Sequence, residues 1–289
     1  MVRSIARMVL GMAGLAALGS AGCAGSYDLI TSQRFRERPF HVIFSADDPI
    51  EILETVETGD ERVRAMRDVR EPRTHGGSAA DQDKLIGILQ AGATTDTRPL
   101  CRLASVEALS RFEDPRAVGI LIAAYRTAAL DAPPERGVAP ASYVPATSAF
   151  APDTVTAIQC LVLESLGKQR HPDGLRLLCE VVRAPGEIKV KAAVELAGGP
   201  LGPATTGGNE TDRVDVRLAA IRSLGNYEGE RTAAEALIAV LQRDKDVAVR
   251  GRAHESLTKI TGQDLPPDGA AWANWLAKDG KMRSPGLFR

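Results

Sequence analysis

One short phrase occurs twice in this chain, and its repetition decides the fold. The two copies are VRLAAIRSL at residues 216–224 and VRGRAHESL at residues 249–257. Their last residues, Leu224 and Leu257, lie 33 positions apart, a period typical of helical repeat arrays. Between the copies, apolar residues at positions 234, 237, 238 and 241 have the i, i+3, i+4, i+7 spacing of one helix face. The stretch therefore predicts a repeating unit of helix A, a short turn and helix B.

The same unit can be followed upstream and to the end of the array. Copies that begin at Cys101 and Ile158 keep the spacing and are each followed by a helix-B stripe. A weaker copy begins at Arg62, and Trp272 and Trp275 close the last one. We expect these tryptophans to seal the end of the stack, because a terminal repeat must cover its neighbour's apolar face. The sequence thus predicts an all-α solenoid of about five helical hairpins.

This pattern resembles HEAT repeats, in particular the short bacterial HEAT-like type named after PBS lyases, with Val-Arg in helix A and Asp-Pro in the turn. The likeness covers roughly residues 60–278 and is most specific at Val216-Arg217 and Val249-Arg250, whereas Ile158-Gln159 lacks the arginine. The resemblance implies a right-handed α-solenoid whose B helices line a concave face and recognise other proteins. Some relatives attach bilin pigments as lyases, an activity that the repeat pattern does not carry over by itself.

Residues 1–22 have the features of an export signal. Arg3 and Arg7 precede an apolar run at residues 8–18, which is too short to span a bilayer. Small residues then lead to Cys23, an arrangement that resembles the lipobox of bacterial lipoproteins, although Ser20 stands where that family prefers leucine. We therefore expect a lipid on Cys23 that anchors the protein on the periplasmic side of a membrane.

Two localisation questions stay open at this point. Ala24 follows the cysteine, which in the lipoprotein family favours the outer membrane. Ordinary cleavage near the same position would instead leave a soluble periplasmic protein.

Composition shifts divide the rest of the chain. Residues 23–48 are predicted to be a tether, residues 49–278 the repeat domain and residues 279–289 a tail. Dense proline and glycine cannot continue a helix, which predicts loops at about residues 71–81, 131–153 and 198–212. Helix-spaced apolar residues at 187–197 leave an extra helix possible.

Charge and motif content limit the function classes. Removal of residues 1–22 leaves 34 basic and 37 acidic side chains, a net charge of −3, which does not favour nucleic-acid binding. The four histidines are far apart and lack metal-ligand spacing, and no nucleophile elbow, phosphate loop or dinucleotide fingerprint occurs. Cysteines 101, 160 and 179 occupy apolar repeat positions and are expected in the core. We predict no catalytic, cofactor-binding or metal-binding residue.

Three arginines recur at one repeat position, Arg102, Arg217 and Arg250. They could form a basic ladder for an acidic ligand, or they could satisfy acids and carbonyl groups of neighbouring repeats. We favour the second interpretation, a structural ladder inside the stack.

The sequence favours a non-catalytic scaffold or adaptor of the cell envelope that binds another protein. We expect contacts from the loop at 131–153 and from exposed arginines of the B helices; the candidate residues are Tyr143, Phe150, Arg116, Arg126, Arg176 and Arg231. The alternatives are a lyase-like or ligand-carrying repeat protein with a small molecule in the concave groove, and a purely structural envelope protein. The sequence identifies neither the partner nor the process.

Overall fold

A computed structural model describes residues 49–56, 59–130, 150–183 and 210–278. Several predictions lie outside the described residues: the export signal and Cys23, the tether, Tyr143, the possible helix at 187–197 and the tail. The chain divides into two compact units, Met1–Ile52 and Leu53–Arg289. The helical repeats all lie in the second unit.

The described residues form eleven α-helices and one 3-10 helix, without a strand. The α-helices are α1 Pro49–Thr55, α2 Gly59–Asp68, α3 Ala79–Thr94, α4 Pro99–Leu109, α5 Arg116–Leu130, α6 Pro152–Gln169, α7 Pro172–Arg183, α8 Glu210–Leu224, α9 Arg231–Arg243, α10 Val247–Thr261 and α11 Gly269–Lys278, and the 3-10 helix is Pro72–Thr74. The predicted loop at 71–81 thus contains the 3-10 helix and the first turn of α3.

The helices pack as two parallel layers. Helices α2, α4, α6, α8 and α10 contact one another in that order and form the A layer, while α3, α5, α7, α9 and α11 form the B layer in the same way. This arrangement is an α-solenoid of five A–B hairpins, which confirms the predicted fold class. Because chain direction reverses within each hairpin, successive B helices run in the same direction and end at the same edge of the B layer.

The repeated phrase explains the core. Its last position is buried in all five units and is occupied by Val69, Leu109, Leu166, Leu224 and Leu257. Four of the five are leucines with no exposed surface. Burial of such a side chain contributes about 2 kcal/mol, so the recurring leucine makes a regular contribution along the stack.

Two glycines allow neighbouring helices to approach closely. A Cβ added to Gly167 in α6 would lie 2.8 Å from Cβ of Ser223 in α8. A Cβ added to Gly92 in α3 would lie 2.2 Å from Oγ of Ser105 in α4. A larger residue at either position would force its neighbours to shift, so glycine is favoured there by packing between helices and not by a turn.

The C-terminal end of the array is sealed as the sequence predicts. Trp272 of α11 is fully buried, and its indole N–H donates to the carbonyl oxygen of Pro266 at 2.9 Å. The ring meets His254 of α10 and Trp275 edge-on, at centroid distances of 5.9 and 6.0 Å. Asp268 accepts hydrogen bonds from the first backbone amides of α11 and caps it.

Candidate functional site

The exposed face of the B layer differs in charge from the exposed part of the A layer. Within the described residues, the B helices expose eight basic and four acidic side chains, and the A helices expose six basic and five acidic ones. The basic residues on the B helices are Lys84, Arg116, Arg126, Arg176, Arg183, Arg231, Arg243 and Lys278. The B layer is therefore the more positive of the two surfaces.

Three of the four arginines predicted for partner contact are held in ion pairs. Arg176 pairs with Asp173 at 2.6 Å, three residues earlier on α7. Arg231 pairs with Glu235 at 2.9 Å, four residues later on α9. These are exposed pairs within one helix and contribute little to stability. Both guanidinium groups remain accessible, with their charge partly neutralised.

Arg116 is held more firmly than the other two. It contacts the buried carboxylate of Asp114 and the exposed carboxylate of Asp83, in each case at 2.7 Å. The guanidinium of Arg116 is the main reason why the pKa of Asp114 lies well below its usual range, and the side chain of Gln82 donates a further hydrogen bond. Arg116 thus joins α5 to α3, and much of its hydrogen-bonding capacity is used inside the protein.

Gln82 extends this cluster into the core. Its amide donates to a carboxylate oxygen of Glu71 at 2.9 Å and to Asp114 at 3.0 Å. The other carboxylate oxygen of Glu71 accepts from the backbone amide of Glu113 at 2.6 Å. Because these buried carboxylates are satisfied by donors of the first two hairpins, the cluster is a structural joint between them.

Arg126 differs from the other predicted arginines. It lies exposed on α5 and makes no hydrogen bond or ion pair within the described part of the chain. Arg183 on α7 and Arg243 on α9 share both properties. We call Arg126, Arg183 and Arg243 the edge arginines. Of the three, only Arg126 was predicted from the sequence. Arg183 and Arg243 follow the last buried residue of their helices by one and two positions, whereas Arg126 follows the buried Tyr125 and precedes the buried Ala128.

Phe150 has a different place from the one expected. Only 5% of its surface is exposed, and the guanidinium carbon of Arg102 lies 4.6 Å from its ring centroid. The ring is therefore part of the core before α6 and is not available as a surface contact. Proline-rich surroundings suggested an exposed aromatic residue, but the cationic side chain of α4 covers one face of the ring.

The ladder arginines confirm the structural interpretation in two units. Arg102 is buried and donates from Nε to the carbonyl oxygen of Asp96 at 2.8 Å. Arg217 forms an ion pair with Asp244, which directly follows α9, and both side chains are largely buried. Arg250 occupies the same position in the last unit and is exposed. Arg102 and Arg217 therefore connect helix A to the turns between repeats.

An open groove of about 420 Å³ lies on the A layer, between α6 and α8. Its lining residues are Asp153, Thr156, Ala157, Cys160, Glu164, Asp215, Leu218, Ala219 and Arg222. The guanidinium of Arg222 contacts Glu164 at 3.1 Å across the groove. Cys160 was predicted to lie in the core, but it is half-buried and lines this groove.

The chemistry of this groove does not favour a thiol nucleophile. Burial, with the nearby carboxylates of Asp215 and Glu164, raises the pKa of Cys160 to about 11. The thiol is therefore protonated at neutral pH, whereas thiolate is the reactive form. The lining contains no histidine that could act as a base.

Two further kinds of feature are absent from the described ranges. No group of three or more His, Cys, Asp or Glu side chains there is placed to hold a metal ion. None of the helices described has the length and hydropathy that crossing a membrane requires.

Comparison with protein families gives one match. The model of the PBS lyase HEAT-like repeat matches residues 216–243, which correspond to most of α8 and all of α9. The match coincides with the first copy of the repeated phrase and supports a HEAT-like repeat protein. No curated protein matches the chain significantly.

Proposed function

We propose that this protein is a non-catalytic scaffold of the cell envelope that binds another protein through the exposed face of its B layer. The observation that carries the proposal is the row of aligned B helices, which offers a continuous surface with an excess of arginine. The repeat architecture adds support, because solenoids present extended surfaces of this kind for binding.

Binding through the B layer can be tested by placing a photo-crosslinking residue on each layer. Gly119 of α5 and Gly251 of α10 are exposed helical glycines, and a Cβ at either position would meet no atom within 4 Å. They are therefore a matched pair, one in each layer. In living cells we expect a discrete, stoichiometric adduct from position 119 and none from position 251. Adducts of equal yield from both positions, or none from position 119, would contradict the proposal.

The envelope location is a second part of the proposal. It is supported by the charged start, apolar run and small residues that precede Cys23. We expect the native protein to fractionate with membranes and to carry the intact mass of a diacyl or triacyl modification. A Cys23→Ala variant should lose both properties. An unlipidated, soluble native chain would remove the anchor and leave a free binding solenoid.

A further inference from the structure

We infer that the edge arginines Arg126, Arg183 and Arg243 form a docking row for an acidic segment of the partner protein. This inference rests on the proposed function and adds to it the place and the chemistry of recognition.

The three arginines occupy similar positions along three neighbouring B helices. They follow the first residues of α5, α7 and α9 by 10, 11 and 12 positions, respectively. These helices are neighbours in that order and run in the same direction. Packed helix axes lie about 9 Å apart, so we expect arginines at similar positions of neighbouring helices to be roughly 10 Å apart.

The exposed acids of the described B helices neutralise little of the charge of the row. On the described B helices, the exposed acids Asp83, Asp173 and Glu235 are all engaged in ion pairs with other arginines. Glu180 is the remaining exposed acid, and it lies three residues before Arg183 without an ion pair within the described residues. The row therefore keeps a net positive charge, which is reduced next to Arg183.

Stabilisation of the helices does not account for the whole row. Arg183 and Arg243 end their helices, where a cation interacts favourably with the negative end of the helix dipole. Arg126 lies four residues before the end of α5, outside the last turn. The exposed position of Arg126 is therefore not explained by helix capping.

An acidic polypeptide fits a line of guanidinium groups. Arginine binds carboxylates in a bidentate geometry, which gives direction as well as charge attraction. Acidic side chains seven residues apart on a helix are separated by about 10 Å along its axis. In a polyproline II segment, every third residue lies on the same face, at a spacing of about 9 Å. A single row with an acid beside it suits such a narrow ligand better than a broad anionic membrane.

The test uses the full chain and a fluorescently labelled polyglutamate peptide at low ionic strength. One variant combines Arg126→Gln, Arg183→Gln and Arg243→Gln. Its control combines Arg67→Gln, Arg222→Gln and Arg250→Gln, which removes three exposed arginines from A helices and changes the net charge equally. We expect about tenfold weaker binding for the row variant and less than about twofold for the control. Glu180→Gln should strengthen binding by about twofold.

Equal losses in the two triple variants would overturn the inference, since general charge attraction would then explain binding. Binding to phosphatidylserine vesicles is the alternative outcome. If this binding required the edge arginines and were tighter than binding to the peptide, the ligand would be a membrane surface, and the inference would be overturned. The crosslink from position 119 separates this inference from the proposed function. An adduct that persists at full yield in the row variant would leave the scaffold intact and remove the docking row. No adduct in the wild-type background would remove the scaffold itself.

Discussion

The ladder arginines of the A helices and the edge arginines of the B helices both recur along the solenoid, but their surroundings are opposite. Arg102 and Arg217 are largely enclosed and are bound to a carbonyl oxygen and a carboxylate of inter-repeat turns. Arg126 and Arg183 are exposed and have no hydrogen-bond or ion-pair partner among the described residues. Recurrence along the repeats therefore does not decide what an arginine does.

The difference follows from desolvation. A charge that leaves water must be matched by a partner, so each enclosed arginine of the ladder requires its oxygen in a defined place. That requirement fixes how helix A meets a turn between repeats: the preceding turn for Arg102 and the following turn for Arg217. An exposed charge has no such requirement and remains available to a ligand. The two sets should consequently respond in opposite ways to substitution, the first in stability and the second in binding.

The largest effect on the free energy of unfolding is expected from Arg217→Met. This change leaves Asp244, a mostly buried carboxylate, without its partner and should lower the free energy of unfolding by about 3 kcal/mol. Arg243→Met, in the exposed set, should change it by less than about 0.5 kcal/mol. Urea unfolding followed by circular dichroism measures both. Similar values for the two variants would remove the distinction between the sets.

A smaller loss is expected from Arg102→Met, which keeps most of the buried volume. The variant loses the bond to the carbonyl oxygen of Asp96 and the cation–π contact with Phe150, together about 2 kcal/mol. A double-mutant cycle with Phe150→Leu should give a coupling energy of about 1 kcal/mol. A coupling energy near zero would mean that the ring and the guanidinium are independent.

Arg116 combines features of the two sets, because it is exposed but pairs with the buried carboxylate of Asp114. This pair makes stability depend on pH. It holds the pKa of Asp114 below the unfolded value of about 4, so the pair stabilises the fold above that pH. This contribution is lost as the pH falls through the folded pKa. We expect Arg116→Gln to lower stability at pH 7 and to reduce the loss of stability in acid.

Urea unfolding of the wild type and the variant, repeated from pH 7 down to pH 2, checks this prediction. Arg176→Gln is the control, since its partner Asp173 is half exposed. A steeper acid dependence in Arg116→Gln than in the wild type would contradict the assignment.

The features predicted correctly from the sequence are those that repeat. The buried leucines, the ladder position and the sealing tryptophans all follow from the helical period. Phe150 lies where the proline-rich stretch meets the start of α6, outside the repeated pattern. The sequence therefore does not predict that Arg102 covers its ring. The ion pairs Arg176–Asp173 and Arg231–Glu235 can be predicted from the i,i+3 and i,i+4 spacing within one helix. The contact of Arg116 with Asp83 is not, because it joins positions 33 residues apart.

Sequence could also have identified part of the edge row. Arg126 and Arg183 each follow a helix-B stripe residue directly, so alignment of the stripes brings these two together, whereas Arg243 lies one position further along α9. Their lack of hydrogen-bond and ion-pair partners among the described residues could not be predicted, because it depends on which acids the fold places beside other arginines.

The smallest effects on stability are expected within the edge row, and they can separate helix capping from recognition. Arg183→Gln and Arg243→Gln remove cations from helix C-termini and should each cost about 0.3 kcal/mol, whereas Arg126→Gln should have no measurable effect. Binding of polyglutamate should weaken to a similar degree in all three single variants, because the ligand contacts each guanidinium. Thermal unfolding and fluorescence anisotropy on the same samples give the two quantities. If binding weakened only in Arg183→Gln and Arg243→Gln, the loss of binding would follow the loss of stability. Arg183 and Arg243 would then act only as helix caps, and Arg126 would have no part in recognition.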